Sequence, residues 1–462
     1  MKKKVLMKAS LALMLCLLSA VTAYAEVETS YGINFRLRQE TWDNLTDFRS
    51  TDGNAANGAQ ISNDTNFWRL RTQLWSKLDV NKQYTGYVRI TNEARYYMDT
   101  TSTGSKLGLN KDELLFDNLF VKANTAAGLP VDVTYGRQDL VGAFGEGFLI
   151  VDGTPGDGSR TFYFDAARAL VKINEAWNVD LVYISNHNQE DRLPMAFSTP
   201  KRTLDGSDND GLIVYGRGKI GDSLTLEPYY IWKKESTITS PNPLIASSPI
   251  PTLRLNTYGA HAVYSFGGGW KLHGELAVQD GEYDNGNKRE GLGWYAYIGR
   301  TYDNVAFKPS FDLGYSYLSG DDPTTTTKNE AWDPLWSRYP WMSELYSLSL
   351  ATESPDRIPA YWSNLKMYRI AMNFALPNES GLGLSYSLLQ ANENTISSVP
   401  ASSIFSADGK TRGHLVIAKL SHKFSKTVDG YVTVEDFVPG NYYKPANQDN
   451  ATFIRWELQW KI

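Results

Sequence analysis

Apolar and polar side chains alternate one by one along most of the chain. Tyr31, Ile33, Phe35 and Leu37 alternate with Gly32, Asn34, Arg36, Arg38 and Glu40. Trp68, Leu70, Leu74, Leu78 and Val80 alternate with Arg69, Arg71, Gln73, Lys77 and Asp79, and Arg89, Thr91, Glu93 and Arg95 share one parity further on. Successive strand side chains point to opposite faces, so each segment predicts a strand with one apolar and one polar face. About eighteen such segments are found: 30–42, 66–80, 83–98, 112–123, 130–139, 163–173, 177–187, 211–220, 223–234, 254–266, 269–280, 291–302, 305–318, 361–376, 381–391, 411–424, 427–438 and 451–462. The fourth and the twelfth are weakly patterned.

The connections alternate too. Asn81-Lys82, Asn174-Glu175-Ala176, Gly221-Asp222, Gly267-Gly268, Asp303-Asn304, Pro377 to Ser380 and Ser425-Lys426 are short turns, and 124–129 is a little longer. Between them run the long links 43–65, 99–111, 140–162, 188–210, 235–253, 319–360 and 392–410, with shorter polar links at 281–290 and 439–450. Short turns at one end and long loops at the other are the pattern of an up-and-down antiparallel transmembrane β-barrel. A closed barrel also satisfies every backbone group internally, as lipid requires. The closing segment fits: Ile454, Trp456, Leu458, Trp460 and Ile462 alternate with Arg455, Glu457, Gln459 and Lys461. We read 26–462 as one barrel domain, all-β, with about eighteen strands.

Composition refines this. The 28 Tyr, 13 Trp and 18 Phe suit strands and interfacial girdles. Residues 1–25 read as a cleaved signal peptide, with Lys2-Lys3-Lys4, an apolar Leu11–Val21 and a small-x-small Ala23-Tyr24-Ala25. That segment holds the only cysteine, Cys16, so disulfides and thiol catalysis are not expected afterwards. Loss of Lys2, Lys3, Lys4 and Lys8 would take the formal charge from −5 to about −9, which argues against nucleic acid as a partner.

If the apolar faces meet lipid, the polar faces line a lumen. Parity places Arg36, Arg38, Arg69, Arg71, Arg89, Glu93, Arg95, Arg137, Arg168 and Arg455 there as candidate pore-lining and substrate-binding residues, with Glu40 and Glu457 among them. Neighbouring arginines suit passage of anions, because guanidinium offers forked donors to carboxylates and stays charged. Equally, Arg–Glu pairs can satisfy one another across strands. Trp332, Trp336 and Arg338 lie in an aromatic cluster, 332–341, of the longest loop and read either as a sugar-stacking mouth or as packing against the rim. The loop 140–162, with Gly142, Gly145, Gly147, Gly153, Gly156 and Gly158 beside Phe144, Phe148, Leu149, Ile150 and Val151, is expected to bend into the lumen, with Arg137 and Arg168 facing water there. His187, His261, His273, His414 and His422 show no metal-ligand spacing. No catalytic pair, metal site or cofactor motif is read.

Phe35-Arg36-Leu37-Arg38-Gln39-Glu40, Trp68-Arg69-Leu70-Arg71, Tyr135-Gly136-Arg137-Gln138, Arg160-Thr161-Phe162 with Asp165 and Arg168, and Trp332-Asp333-Pro334-Leu335 together resemble the alginate export family of bacterial outer-membrane proteins. The resemblance implies an eighteen-stranded, monomeric outer-membrane barrel whose arginine-lined constriction passes an anionic uronate polysaccharide, gated by loops. It implies lumen positions for Arg36, Arg38, Arg69, Arg71, Arg137 and Arg168. Expected partners are membrane lipid, an anionic polysaccharide or oligosaccharide, the outer-membrane assembly machinery and a periplasmic export partner. The alternatives are a general or small-solute uptake porin, whose arginines only brace the wall, and a plugged barrel acting as an enzyme or adhesin.

Overall fold

A computed structural model describes residues 26–45, 47–50, 53–54, 60–61, 64–98, 108–140, 142–151, 163–189, 191–193, 207–238, 249–337, 343–349, 363–394 and 404–462. The leader 1–25, the second half of the Gly-rich loop and Arg338 lie outside the described residues.

Eighteen long strands follow one another round the wall. They are β1 (Val27–Asp43), β2 (Thr65–Val80), β3 (Tyr84–Tyr97), β4 (Gly108–Ala123), β5 (Val131–Gln138) and β6 (Phe164–Lys172). Next come β7 (Trp177–Asn186), β8 (Asn209–Ile220), β9 (Leu224–Glu235), β10 (Leu253–Ser265), β11 (Trp270–Tyr283) and β12 (Lys288–Thr301). The last are β13 (Ser310–Leu318), β14 (Leu365–Leu376), β15 (Ser380–Gln390), β16 (Thr411–Lys423), β17 (Val428–Pro439) and β18 (Ala451–Lys461). Each is antiparallel to the next, and β1 pairs with both β2 and β18, so the sheet closes on itself. The barrel therefore leaves no long edge unpaired. Among the described residues, one short α-helix, α1 (Glu344–Ser349), sits within the longest loop.

Alternation appears as alternating exposure. Leu276, Val278 and Ile454 are exposed between buried strand neighbours, and Leu74, Ile370, Met372, Val416 and Val432 are each exposed beside one buried neighbour. An apolar face exposed all round a closed sheet is stable only against lipid. No helix among the described residues is long and apolar enough to cross a membrane; the strands make the crossing.

Three local departures have physical causes. β4 is weakly patterned because its pairing with β3 shifts register at Arg89/Ile90 and again at Asn92/Ala94. The first shift leaves Asp117 as an extra residue, so Asp117 and Asn118 are both buried and the two-residue period breaks. β13 begins at Ser310 rather than 305, because successive turns (Val305 N–H to Tyr302 O, Lys308 N–H to Val305 O) use up the intervening residues. The polar link expected over 281–290 shrinks to a four-residue turn between Tyr283 and Lys288, with Gly286 at φ +86°.

The expectation that the inward face is polar throughout is corrected. On β7–β10 and β13–β16 that face carries Val182, Ile184, Ile213, Ile231, Leu255, Leu318, Met367, Leu389 and Leu415, all fully buried. They belong to one apolar cluster with Phe144, Phe148, Leu149, Ile150 and Val151 from the Gly-rich loop and with Trp332, Leu335 and Trp336 from the longest loop. Residues 142–151 do bend inward, and their apolar side chains cause it: they find inward-facing partners such as Tyr215 and Tyr295.

Candidate functional site

The site is built where the barrel closes. Register puts Arg38 opposite Arg69 and Arg36 opposite Arg71 across β1 and β2. Directly opposed like charges repel, so the outer neighbours must compensate. They do: β18 sets Glu457 beside Arg38 and Arg455 beside Glu40, and β3 sets Glu93 beside Arg71.

The side chains interlock as that register demands. Arg38 Nε donates to Glu457 Oε2 at 2.6 Å, and Arg69 Nη1 to Glu40 Oε1 at 2.9 Å. Arg69 Nε reaches Glu93 Oε1 at 3.1 Å, Arg36 Nη2 reaches Glu93 Oε2 at 3.3 Å, and Arg455 Nη2 reaches Glu40 Oε1 at 2.9 Å. All eight are buried: Arg36, Arg38, Arg69, Arg71 and Arg455 against Glu40, Glu93 and Glu457. Five guanidiniums thus face three carboxylates, an excess of two positive charges. Arg95 lies at the rim of the cluster, 27% exposed and 3.8 Å from Glu93.

A second set continues round the wall. Arg89 bonds the bulged Asp117 at 2.9 Å and Asp139 at 2.9 Å, and Asp117 also accepts from Thr91 at 2.7 Å. Arg137 pairs with Asp165 at 2.8 Å, and its guanidinium lies 3.9 Å from the Tyr163 ring centre. Arg168 grips Asp180 through two bonds, 2.8 and 2.6 Å, and Arg217 shares that carboxylate at 3.0 Å.

The opposite side of the lumen is filled. Trp336 N–H bonds Ile150 O at 3.0 Å, and a parallel bridge joins Val151 to Trp336, so the two inward segments act as one body. Trp336 Nε1 donates to Asn209, Lys233 Nζ to Leu335 O at 2.7 Å, and Gln279 Nε2 to Asp333 O at 2.7 Å. Glycines on the wall make room: a Cβ at Gly293 would lie 2.8 Å from the Trp332 ring, and one at Gly211 would overlap the Trp336 ring. At the loop tip Glu146 meets His273 Nδ1 at 2.5 Å and His261 Nε2 at 3.8 Å; His261 also faces Glu227, and His273 faces Asp312.

The candidate residues are therefore distributed unevenly. Arg36, Arg38, Arg69, Arg71, Glu93 and Arg455 come together in the seam cluster, with Arg95 beside them, and Arg89 lies in the adjoining set. Arg137 does not face water as expected. It is 3% exposed, because Asp165 and Tyr163 cover it, while Arg168 is a quarter exposed. Trp332 and Trp336 do not form an outer mouth: both are buried against the wall glycines, because a tryptophan ring gains more from apolar contact than from water. Periodicity missed Asp117, Asp139, Asp180, Arg217, Glu344 and the His261–His273 pair. For Asp117 the broken alternation was a signal. For the histidines, twelve residues apart on paired strands with a short turn between them, matching inward parity was the available one.

A family model described as alginate export matches residues 29–455. The chain belongs to the alginate export family. Solved structures share the barrel: OpdL of Pseudomonas aeruginosa (TM-score 0.56, 10% identity, covering 94% of this chain and 99% of that one) and a BenF-like porin from Pseudomonas fluorescens Pf-5 (0.56, 12%, 94% and 98%). Pseudomonas aeruginosa OccK2 (OpdF), solved in complex with glucuronate, is similar as well (0.53, 11%, 94% and 96%). At these identities the likeness is one of fold. No curated protein matches the sequence. As an alginate export family barrel, the chain is an integral outer-membrane channel.

Proposed function

We propose that this channel favours anions and passes an acidic polysaccharide or oligosaccharide, a uronate chain being the class that fits best. The observation that carries the reading is the seam cluster, where five buried guanidiniums face three carboxylates on adjacent inward positions. Ion burial costs several kcal/mol per group, by about the same argument that makes apolar replacements of such clusters neutral or stabilising. Rings of basic side chains attract and orient anions. Glucuronate in one neighbour of the same fold fits this class.

Planar bilayers under a salt gradient test it. The reversal potential should show anion preference, and replacing Arg95, Arg168 and Arg217 together by Gln should reduce it. Cation preference in the parent, unchanged in the triple variant, would sink the reading. The second reading, a general small-solute porin, is favoured by the carboxylate partners of Arg38, Arg69, Arg89, Arg137 and Arg168. Liposome swelling separates the two: equal rates for glucuronate and glucose support the general porin.

A further inference from the structure

Within the lumen, α1 brings one more carboxylate to the seam cluster. Glu344 Oε1 lies 2.8 Å from Arg455 Nη1, while the other side of that guanidinium holds Glu40. The segment is clamped reciprocally by the wall. Glu435 of β17 accepts from Ser343 Oγ, from Glu344 N–H at 3.2 Å and from Leu345 N–H at 3.1 Å. Ser343 also caps the helix, accepting Tyr346 N–H at 2.9 Å, and Tyr346 takes a 2.6 Å bond from Arg412. The wall contacts position the helix, and among the described loop residues Glu344 alone sends a carboxylate to an arginine of the cluster.

We infer that Glu344 is an internal ligand: its carboxylate occupies a carboxylate-binding subsite at Arg455 that an incoming uronate takes over. The inference rests on the proposed passage of acidic sugars. Three features carry it. The bond has the geometry an Arg gives a free carboxylate. The cluster keeps its positive excess with Glu344 included, since Arg95 and Glu344 add one charge of each sign. Finally, Glu344 arrives on a loop helix, whereas Glu40, Glu93 and Glu457 are fixed to barrel strands, so only Glu344 can leave without disturbing the wall. A tethered carboxylate competes at high effective concentration and lowers the apparent affinity for the free one. The subsite is thereby closed to weak anions and opened by a ligand that brings its own carboxylate and further sugar contacts.

The experiment is titration of single-channel current with glucuronate, and with glucose as the neutral control, for the full-length parent, Glu344→Gln and Glu344→Asp. Glu344→Gln should lower the half-saturating glucuronate concentration roughly tenfold, Glu344→Asp should fall between it and the parent, and glucose should give no such shift. A half-saturation for Glu344→Gln within about twofold of the parent, or an equal shift with glucose, overturns the inference. Reversal potentials in the same bilayers separate the two levels. Anion preference with an unmoved half-saturation removes only the internal ligand, whereas cation preference removes the proposed function and this inference with it. Folding of each variant is checked by heat-modifiable gel mobility. If Glu344→Gln fails to fold, the Asp variant decides: a parental half-saturation overturns the inference, and an intermediate one supports it.

Discussion

The two sides of the lumen solve one problem in opposite ways. Where β1–β3 meet β18, the inward face is charged, and its guanidiniums are held by carboxylates on neighbouring strands. Across the lumen, β7–β12 present Val182, Ile213, Tyr215 and Tyr295, and the loops fold in to cover them. Apolar packing gains free energy with area and asks little of geometry. Buried ions gain only when every partner is placed, and removing one leaves the rest uncompensated. The filled side therefore builds the channel, while the charged side is where a ligand's chemistry can matter.

The largest effect should follow from Glu40→Ala. Glu40 holds Arg69 and Arg455 at 2.9 Å each and Arg38 at 3.4 Å. Its loss should destabilise the barrel by about 3–5 kcal/mol, measured by denaturant unfolding in vesicles, and should raise anion preference in the milder Glu40→Gln. Lower anion preference in Glu40→Gln would mean that the cluster is not the selectivity element. Gly293→Ala tests the other side. The added methyl meets the Trp332 ring, so stability should fall by about 1–3 kcal/mol and current noise should rise while reversal potential stays fixed. A shifted reversal potential would break the division of labour. Smaller again is Arg168→Gln. The side chain is a quarter exposed and Asp180 keeps Arg217, so the stability change should stay within about 1 kcal/mol. Anion preference should nonetheless fall, and an unchanged preference would assign Arg168 to the wall.

The sequence was most legible where the two faces meet different solvents. Ile454 against Arg455 and Leu37 against Arg38 announce lipid on one side and polar surroundings on the other, and the structure agrees to the residue. Where loops fill the lumen both faces are apolar, as in Leu212-Ile213-Val214-Tyr215, and parity carries no direction. β12 looked unpatterned for a related reason: its inward positions include Gly291 and Gly293, whose missing side chains make space for Trp332. Arg137 shows a further limit. Parity gives its face correctly, yet the carboxylate and ring that cover it come from β6 and the residue before it. Pairing across loops of this length depends on tertiary contact, which no local period encodes.

The finest distinction lies in the contact between the inward Gly-rich loop and the wall. Both ring nitrogens of His273 face carboxylates, Glu146 at 2.5 Å and Asp312 at 3.0 Å, and only an imidazolium can donate to both. His261 lies likewise between Glu146 and Glu227, with Tyr215 bonded to Glu227 and Glu275 held by Tyr229 and Tyr295 nearby. Burial alone would raise the Glu146 carboxyl, but the His273 hydrogen bond and the nearby His261 outweigh it and hold the group down at about 2, against an ordinary 4.5. A depressed carboxyl stabilises the docked loop fully above its ordinary value. That contribution is lost as pH falls below about 4.5 and is gone near 2. The parent channel should therefore grow noisier on acidification through this window, whereas Glu146→Gln should be noisier already at neutral pH and change less. The amplitude should be small, because Phe144, Phe148, Leu149, Ile150 and Val151 stay packed whatever the charge on Glu146. Identical acid profiles in the two proteins would show that apolar packing alone holds the loop, and that the charged chemistry of this barrel is confined to the seam.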